Sequence, residues 1–346
     1  MNNRKKCLVS AIAISISTTP VAAQQTYELQ NVFGLQVPSI GPSPQIWADR
    51  VELMSDGRIS VNVHGAGDFV PPFEVFEAVS MGALDMGFDW IGYWADRIPV
   101  ANLVGSMPFG PDPETFLAWM FEGGGLEIIQ KAYDPHNVKI LPCHLVLSEA
   151  GGWFNKEINS VEDLQGLNMR IAGLGARAVA ELGANTMMIP AGEVYVSLER
   201  GRIDAAEFSL PQLDIGLGLY EVADYYYFPG WHQPASWDSI LINMDVWNGL
   251  DESDQEIMQE ACHAHIAYNL HDQLNAQMDA IEKIEESGVE IRRFPDDVLD
   301  ALREASEQVI RQQATRDEIF NEAYESIRAY QERLNRWQEL QYLPLD

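Results

Sequence analysis

The sequence predicts an α/β protein of two domains, on three observations. Short strand-like runs alternate with helical segments along most of its length, the pattern of an α/β architecture with parallel strands. Its 346 residues suffice for two domains of ordinary size. Hydrophobic residues make up 47% of the chain, enough for it to build its own core.

The first segment reads as a leader. Arg4, Lys5 and Lys6 form a basic start, Cys7 to Ser17 an apolar stretch, and Val21-Ala22-Ala23 a small-residue cleavage site before Gln24. The apolar run falls well short of the ~20 residues that span a bilayer. A lipid anchor is not expected, because Cys7 lies where the basic start meets the apolar stretch rather than just after it. Residues 1–23 are therefore read as a signal peptide and the protein as exported. Its removal leaves 323 residues with 19 basic against 52 acidic side chains, a net charge of −33. That balance excludes nucleic acid and anionic lipid as partners, since both need a basic footprint. Two cysteines survive, Cys143 and Cys262, 119 positions apart. A bond between them is compatible with an oxidising compartment, and the sequence leaves it open.

The elements then follow in order. Strands are expected at 26–33, 59–64 and 84–89, with helices at 44–55 and 73–80. A helix over 115–132 is interrupted near Gly123-Gly124-Gly125. Strands 138–142 and 151–155 precede a capping box at Ser160 and Asp163. Strand 169–172 and helix 176–182 follow, then helix 194–200 and strand 205–208. A returning strand at 237–243 leads to a long helix capped by Asp251 and reaching about Ser287. After strand 289–293 the chain is helical from Val298 nearly to its end. There Phe320, Ala323, Ile327, Tyr330, Leu334 and Trp337 form a heptad seam, which serves either packing on the chain's own domain or a contact between two copies.

Four motifs carry polar groups among Gly, Pro and aromatic residues: Glu149-Ala-Gly-Gly-Trp-Phe, Gly166-Leu-Asn-Met-Arg170-Ile-Ala-Gly, Asp204-Ala-Ala-Glu207-Phe208-Ser and Tyr225-Tyr-Tyr-Phe-Pro-Gly-Trp-His-Gln233. Arg170 is a long cation in an apolar strand, expensive to bury unless an anion meets it. Its planar fork matches a carboxylate with two parallel hydrogen bonds, so either a structural acid or a ligand satisfies it. Glu207, taken alone, reads as a surface or hinge acid. Trp90, Tyr93 and Trp94 follow a strand where a loop could close over a small ligand.

Enzyme readings are weaker. Gly173-x-Gly175-x-x-Ala178 between strand and helix, with Glu193 beyond, imitates a dinucleotide motif, but gives Arg170 no role. His263, His265 and His271 share a helix without a common face or an H-E-x-x-H pattern, and read as solvated. No serine or cysteine nucleophile with its base is recognisable.

The order of the four motifs resembles the keto-acid type of TRAP-transporter periplasmic solute-binding protein (the DctP family), and the resemblance extends over essentially the whole mature chain. It implies a periplasmic receptor for sodium-driven uptake, not a catalyst. The implied fold is a two-lobed periplasmic binding protein with hinge strands, a long lobe-spanning helix and an extended C-terminal helix. Lobe I would be 24–146 plus 235–275, and lobe II 147–234 plus 276–312. Residues 313–346 would form the C-terminal helix, through which keto-acid receptors dimerise. The ligand would be a small 2-oxo or 2-hydroxy monocarboxylate, held by Arg170 between the lobes with Trp90 and Tyr93 nearby.

By the same resemblance, Glu149, Glu207, the Phe208 carbonyl and Gln233 would hold Na⁺ or Ca²⁺. One departure stands out. The family more often has Gln at position 149 and Glu at position 233, whereas this chain has Glu149 and Gln233. The exchange conserves one carboxylate and one amide, and a hard cation needs oxygens from either segment. The alternative is a site without metal, taking a sugar acid, sulfonate or zwitterion, or a sensor module on the same fold. Membrane permease subunits are the implied transport partners.

Overall fold

The computed structural model describes residues 24–341. The expected signal peptide and the last five residues of the expected C-terminal helix lie outside the described residues.

In chain order the strands are β1 Gln25–Asn31, β2 Ile59–His64, β3 Met86–Trp90, β4 Val138–Val146, β5 Gly152–Phe154 and β6 Asn168–Arg170. They continue as β7 Asn185–Met187, β8 Ala205–Ala206, β9 Tyr225–Phe228, β10 Ser236–Asn243 and β11 Glu290–Arg293. One sheet has the order β2-β1-β3-β10-β4, the other β11-β9-β5-β8-β6-β7. The sheets are mixed rather than wholly parallel: β10 runs against β3 and β4, and β5 against β8 and β9. Each of these two strands arrives directly from the other sheet, without the helical crossover that parallel neighbours require.

The chain thus passes between the sheets at 147–151 and again at 229–235. A third passage is the 36-residue helix Glu252–Ser287, about 54 Å long at 1.5 Å per residue. Asp251 caps it by accepting from the Asp254 N–H, and Gly288 ends it in a left-handed conformation. Between Met258 and Gln273 it buries Met258, Cys262, His265, Ile266, Asn269 and Gln273 at helical spacing, against β4 and the helix Ser43–Met54. Trp47 of that shorter helix is fully buried and donates through Nε1 to the Met258 carbonyl at 3.1 Å. Cys143 on β4 and Cys262 on the long helix form a disulfide.

His265 corrects the sequence reading. It lies three residues after Cys262, on the buried face, and its Nε2 sits 3.0 Å from Ser43 Oγ. His263 and His271 are exposed as expected. The interrupted helix is also present, as Pro113–Glu122 and Gly125–Tyr133, with Gly124 left-handed between them. The capping box at Ser160 and Asp163 is formed.

The C-terminal helix expected from Val298 is two helices, Asp296–Ala314 and Glu318–Gln341. The first packs on the helix Gly173–Glu181, and the second folds back onto Pro113–Glu122 and Gly125–Tyr133. Asp317 marks the break by accepting from the Phe320 N–H at 2.7 Å. The heptad seam lies wholly on the second helix and is divided along its length. Phe320, Ala323 and Ile327 are buried against the chain's own helices, while Trp337 is 58% exposed.

Phe320→Ala should therefore lower stability by about 3–5 kcal/mol, and Trp337→Ala should change it by less than about 0.5 kcal/mol. Urea unfolding of the two variants checks this, and equal losses would contradict the division of the seam.

Candidate functional site

Arg170 ends β6 with its side chain 2% exposed. Residue 207 follows β8, which pairs with β6 in parallel register, and the Glu207 N–H donates to the Arg170 carbonyl at 3.0 Å. The side chains meet as well. Arg170 Nη1 donates to Glu207 Oε1 at 2.9 Å and to the Glu207 carbonyl at 2.5 Å. Glu207 Oε1 also accepts from the Ala172 N–H at 2.7 Å. The Phe208 ring lies beneath the guanidinium, 5.2 Å from Cζ to centroid. Glu207 is thus buried and ion-paired, which corrects its reading in isolation as a surface acid. The structural acid for Arg170 exists, yet it occupies Nη1, whereas Nη2 has only the Met188 sulfur at 3.8 Å.

The two inter-sheet passages complete the cluster. The Glu149 N–H donates to the Gln233 carbonyl at 3.3 Å, and both side chains are buried. Gly230 permits this approach, because a Cβ there would stand 2.1 Å from the Glu149 carbonyl oxygen. Between the acids lies His232, its Nε2 3.2 Å from Glu149 Oε2 and 3.4 Å from Glu207 Oε2. Gly175 receives explanation here too: a Cβ on it would be 2.8 Å from the His232 Cβ. Gly173 is instead left-handed, and a Cβ there would stand 3.0 Å from the Ser106 Cβ, so both glycines serve close packing.

Burial pushes the Glu149 carboxyl up to about 8, against the opposing pull of His232. Glu207 is equally buried, but Arg170, His232 and the Ala172 N–H outweigh that and hold it down at about 2. The two acids raise His232 to about 9 in spite of burial. Glu207 is therefore the securely ionised member and Glu149 the undercompensated one. One ligand atom each from Glu149, Glu207 and His232 come within 4.8 Å of one another, all buried, a grouping able to hold a cation.

A narrow cavity of about 30 Å³ opens against this cluster. Arg170, Glu149, Glu207, Phe208 and Gln233 line one side of it. Trp90, Tyr93, Phe33, Val146 and Asp238 line the other, so the residues expected to bind ligand and cation line one cavity. Trp90 is fixed by donation from Nε1 to Ser236 Oγ at 2.8 Å, and Tyr93 packs edge-on against it at 5.2 Å. Trp94 instead turns into the core behind the sheet, bonding Asp89 and stacking on Phe76. Trp153 and Trp231 are buried framework residues.

Sequence reasoning missed His232 and Asp238. His232 sits inside a quoted motif, beside Gln233, and its neighbour in sequence was the available signal. Asp238 is a lone acid in a strand buried on both faces, which was the signal there. The structure also sets Asp238, His144 and Ser39 in a row, with His144 Nδ1 2.8 Å from Asp238 Oδ2 and Nε2 2.9 Å from Ser39 Oγ. The order imitates a hydrolytic triad, but burial pushes His144 down to about 3, far too weak a base to activate a hydroxyl.

Residues 41–317 match the family model for the bacterial extracellular solute-binding protein, family 7, called DctP. The chain belongs to this family. It is 36% identical to the monocarboxylate 2-oxoacid-binding periplasmic protein of Nostoc sp., over 86% of this chain and 81% of the other. Among solved structures it resembles a TRAP periplasmic solute-binding protein of Colwellia psychrerythraea with bound calcium and pyruvate (TM-score 0.88, 31% identity, 92% and 97% of the two chains). A second, from Pseudoalteromonas atlantica with bound sodium and pyruvate, gives a TM-score of 0.88, 30% identity and coverages of 92% and 97%. As a DctP-family protein this is a periplasmic TRAP-transport receptor and not an enzyme. No helix among the described residues is long and apolar enough to cross a membrane.

Glu207→Ala should destabilise the protein by about 3–5 kcal/mol, because it leaves Arg170 buried without its acid. The double variant Arg170→Ala, Glu207→Ala should lose clearly less than the sum of the single variants in urea unfolding. Simple additivity would mean that the pair is not coupled.

Proposed function

We infer that this receptor binds a small 2-oxo or 2-hydroxy monocarboxylate together with Na⁺ or Ca²⁺ in the cavity beside Arg170. The observation that carries the reading is the meeting of one guanidinium with two buried carboxylates against so small a space. Arg170 Nη2 would take the ligand's carboxylate. The cavity is small, about 30 Å³, which favours a small acid over a sugar acid. The two solved relatives hold pyruvate with calcium or sodium, and the Nostoc relative is named for 2-oxoacids.

The donor set fits a hard cation. Glu149, Glu207, Gln233 and the Phe208 carbonyl offer oxygens, and the undercompensated Glu149 has the most to gain from positive charge. A bound cation would supply the charge that lets an anionic ligand lie beside two acids. The residue exchange of Glu149 and Gln233 leaves that set intact.

Ligand entry requires the two bodies to part. In the proposed division, 24–146 with 235–275 moves against 147–234 with 276–312, around the passages at 147–151 and 229–235. A ligand touching both sides then favours the closed form by its differential contacts, and the membrane permease subunits would take that form. The outer turns of the C-terminal helix, with Trp337 and Leu340 exposed, would join two copies.

Thermal shift tests the site. Pyruvate or lactate at 100 times its Kd should stabilise the protein by about 2.7 kcal/mol, and chelation with removal of Na⁺ should abolish the shift. Glu149→Gln should weaken the cation dependence while the protein stays folded. A shift indifferent to cations would remove the metal from the site, and no shift with any small acid would overturn the ligand class. For the second contact, Trp337→Glu should convert a dimer to monomer in sedimentation, and a wild-type monomer would end that reading.

A further inference from the structure

The wall of the cavity formed by the first sheet carries one carboxyl that neither the anchoring arginine nor the cation cluster uses. Asp238 stands on β10, directly across the ladder from Trp90, and is 2% exposed. It lines the same cavity. Its Oδ2 is joined to His144, and among the described residues its Oδ1 has no hydrogen-bond partner. The wall around it is otherwise made by Phe33, Ile40, Trp90, Tyr93 and Val146, apolar apart from the Tyr93 hydroxyl and the Trp90 Nε1–H, which Ser236 takes up.

The imidazole behind Asp238 is held in place. His144 Nε2 lies 2.9 Å from Ser39 Oγ and 3.4 Å from Gln273 Nε2, so the ring is fixed from the side opposite the carboxyl. Burial pushes the Asp238 carboxyl well above its ordinary range and His144 down to about 3. Burial thus disfavours charge on both members of the pair. Oδ1, the carboxyl oxygen that His144 does not hold, is left as an acceptor on the cavity wall. An acceptor on so buried a residue requires a donor.

We propose that Asp238 determines specificity within the proposed class of small acids. Its Oδ1 accepts a hydrogen bond from a hydroxyl on the carbon beyond C2, so the receptor prefers a 3-hydroxylated 2-oxo or 2-hydroxy acid to the same acid with a plain methyl group. The inference rests on the reading of Arg170 and the cation cluster as the anchor for the ligand's carboxylate end, which directs the far carbon to the opposite wall. A methyl group there faces Oδ1 without pairing it, whereas a hydroxyl satisfies both partners. Sites built around a buried hydrogen-bonding group reject the analogue that lacks the matching group more sharply than apolar pockets reject an added one.

Calorimetric titration with two matched pairs, pyruvate with hydroxypyruvate and lactate with glycerate, in Na⁺ and in Ca²⁺, tests it. The hydroxylated member of each pair should bind roughly tenfold tighter, and Asp238→Ala should erase the difference while pyruvate and lactate still bind. Equal affinities within each pair on the wild-type protein, or a preference that survives Asp238→Ala, would overturn the assignment while leaving the carboxylate receptor standing. If none of the four acids binds, the reading of the site fails and this one with it. A crystal structure of the hydroxypyruvate complex decides the matter independently of any variant: the ligand hydroxyl within hydrogen-bonding distance of Asp238 Oδ1 supports the proposal, and a hydroxyl turned away overturns it.

Discussion

Burying two carboxylates beside one guanidinium is the constraint from which the rest of this site follows. An isolated ion taken out of water loses several kcal/mol of solvation even after the protein relaxes. Glu207 avoids most of that loss, because Arg170 and the Ala172 N–H both meet it. Glu149 has only His232 and its near surroundings, and burial raises its carboxyl accordingly. The cluster is thus balanced at one acid and short of positive charge at the other. A protein that needed only stability would do better with apolar side chains here. Retaining the charges makes sense where a cation and an anion are to be accommodated together.

The scaffold explains how these groups come together from distant parts of the chain. β6 and β8 pair in parallel, which brings Arg170 and Glu207 side by side although 37 residues separate them. The two passages between sheets run next to each other, so Glu149 and Gln233 share a backbone hydrogen bond. Close packing enforces the approach at Gly230 and Gly175, where any side chain would collide with Glu149 or His232. The opposite wall belongs to the other sheet. Its β3 and β10 carry Trp90 and Asp238 on a shared face.

Legibility in the sequence followed the physics of each feature. The order of strands and helices could be read because alternation leaves a periodic trace, and Arg170 stood out as a cation in an apolar strand. The Glu149, Glu207 and Gln233 motifs stood out among Gly, Pro and aromatic residues, but their grouping was legible only through the resemblance of their order to the keto-acid receptors. His265 was misread because counting positions along a helix does not reveal which polar residues the neighbouring helix covers. His232 and Asp238 escaped for a related reason: each acts through partners far off in sequence, at Glu149 and at His144. The break at Asp317 is set by a single capping carboxylate, too local a signal to interrupt a long helical pattern.

The strong negative charge of the chain and its reading as an anion receptor are compatible because they act over different distances. At physiological ionic strength, charges on the surface are screened beyond about 8 Å. The acidic surface therefore contributes little inside a closed cavity, where the local field comes from Arg170, Glu207, Glu149 and any cation they hold. On the facing wall a second ionised acid would act against the ligand at short range and without screening. Burial works against such a charge at Asp238 by raising its carboxyl above the ordinary range. The wall can then be polar at one point, which is the condition for reading a hydroxyl on a molecule whose other end is an anion.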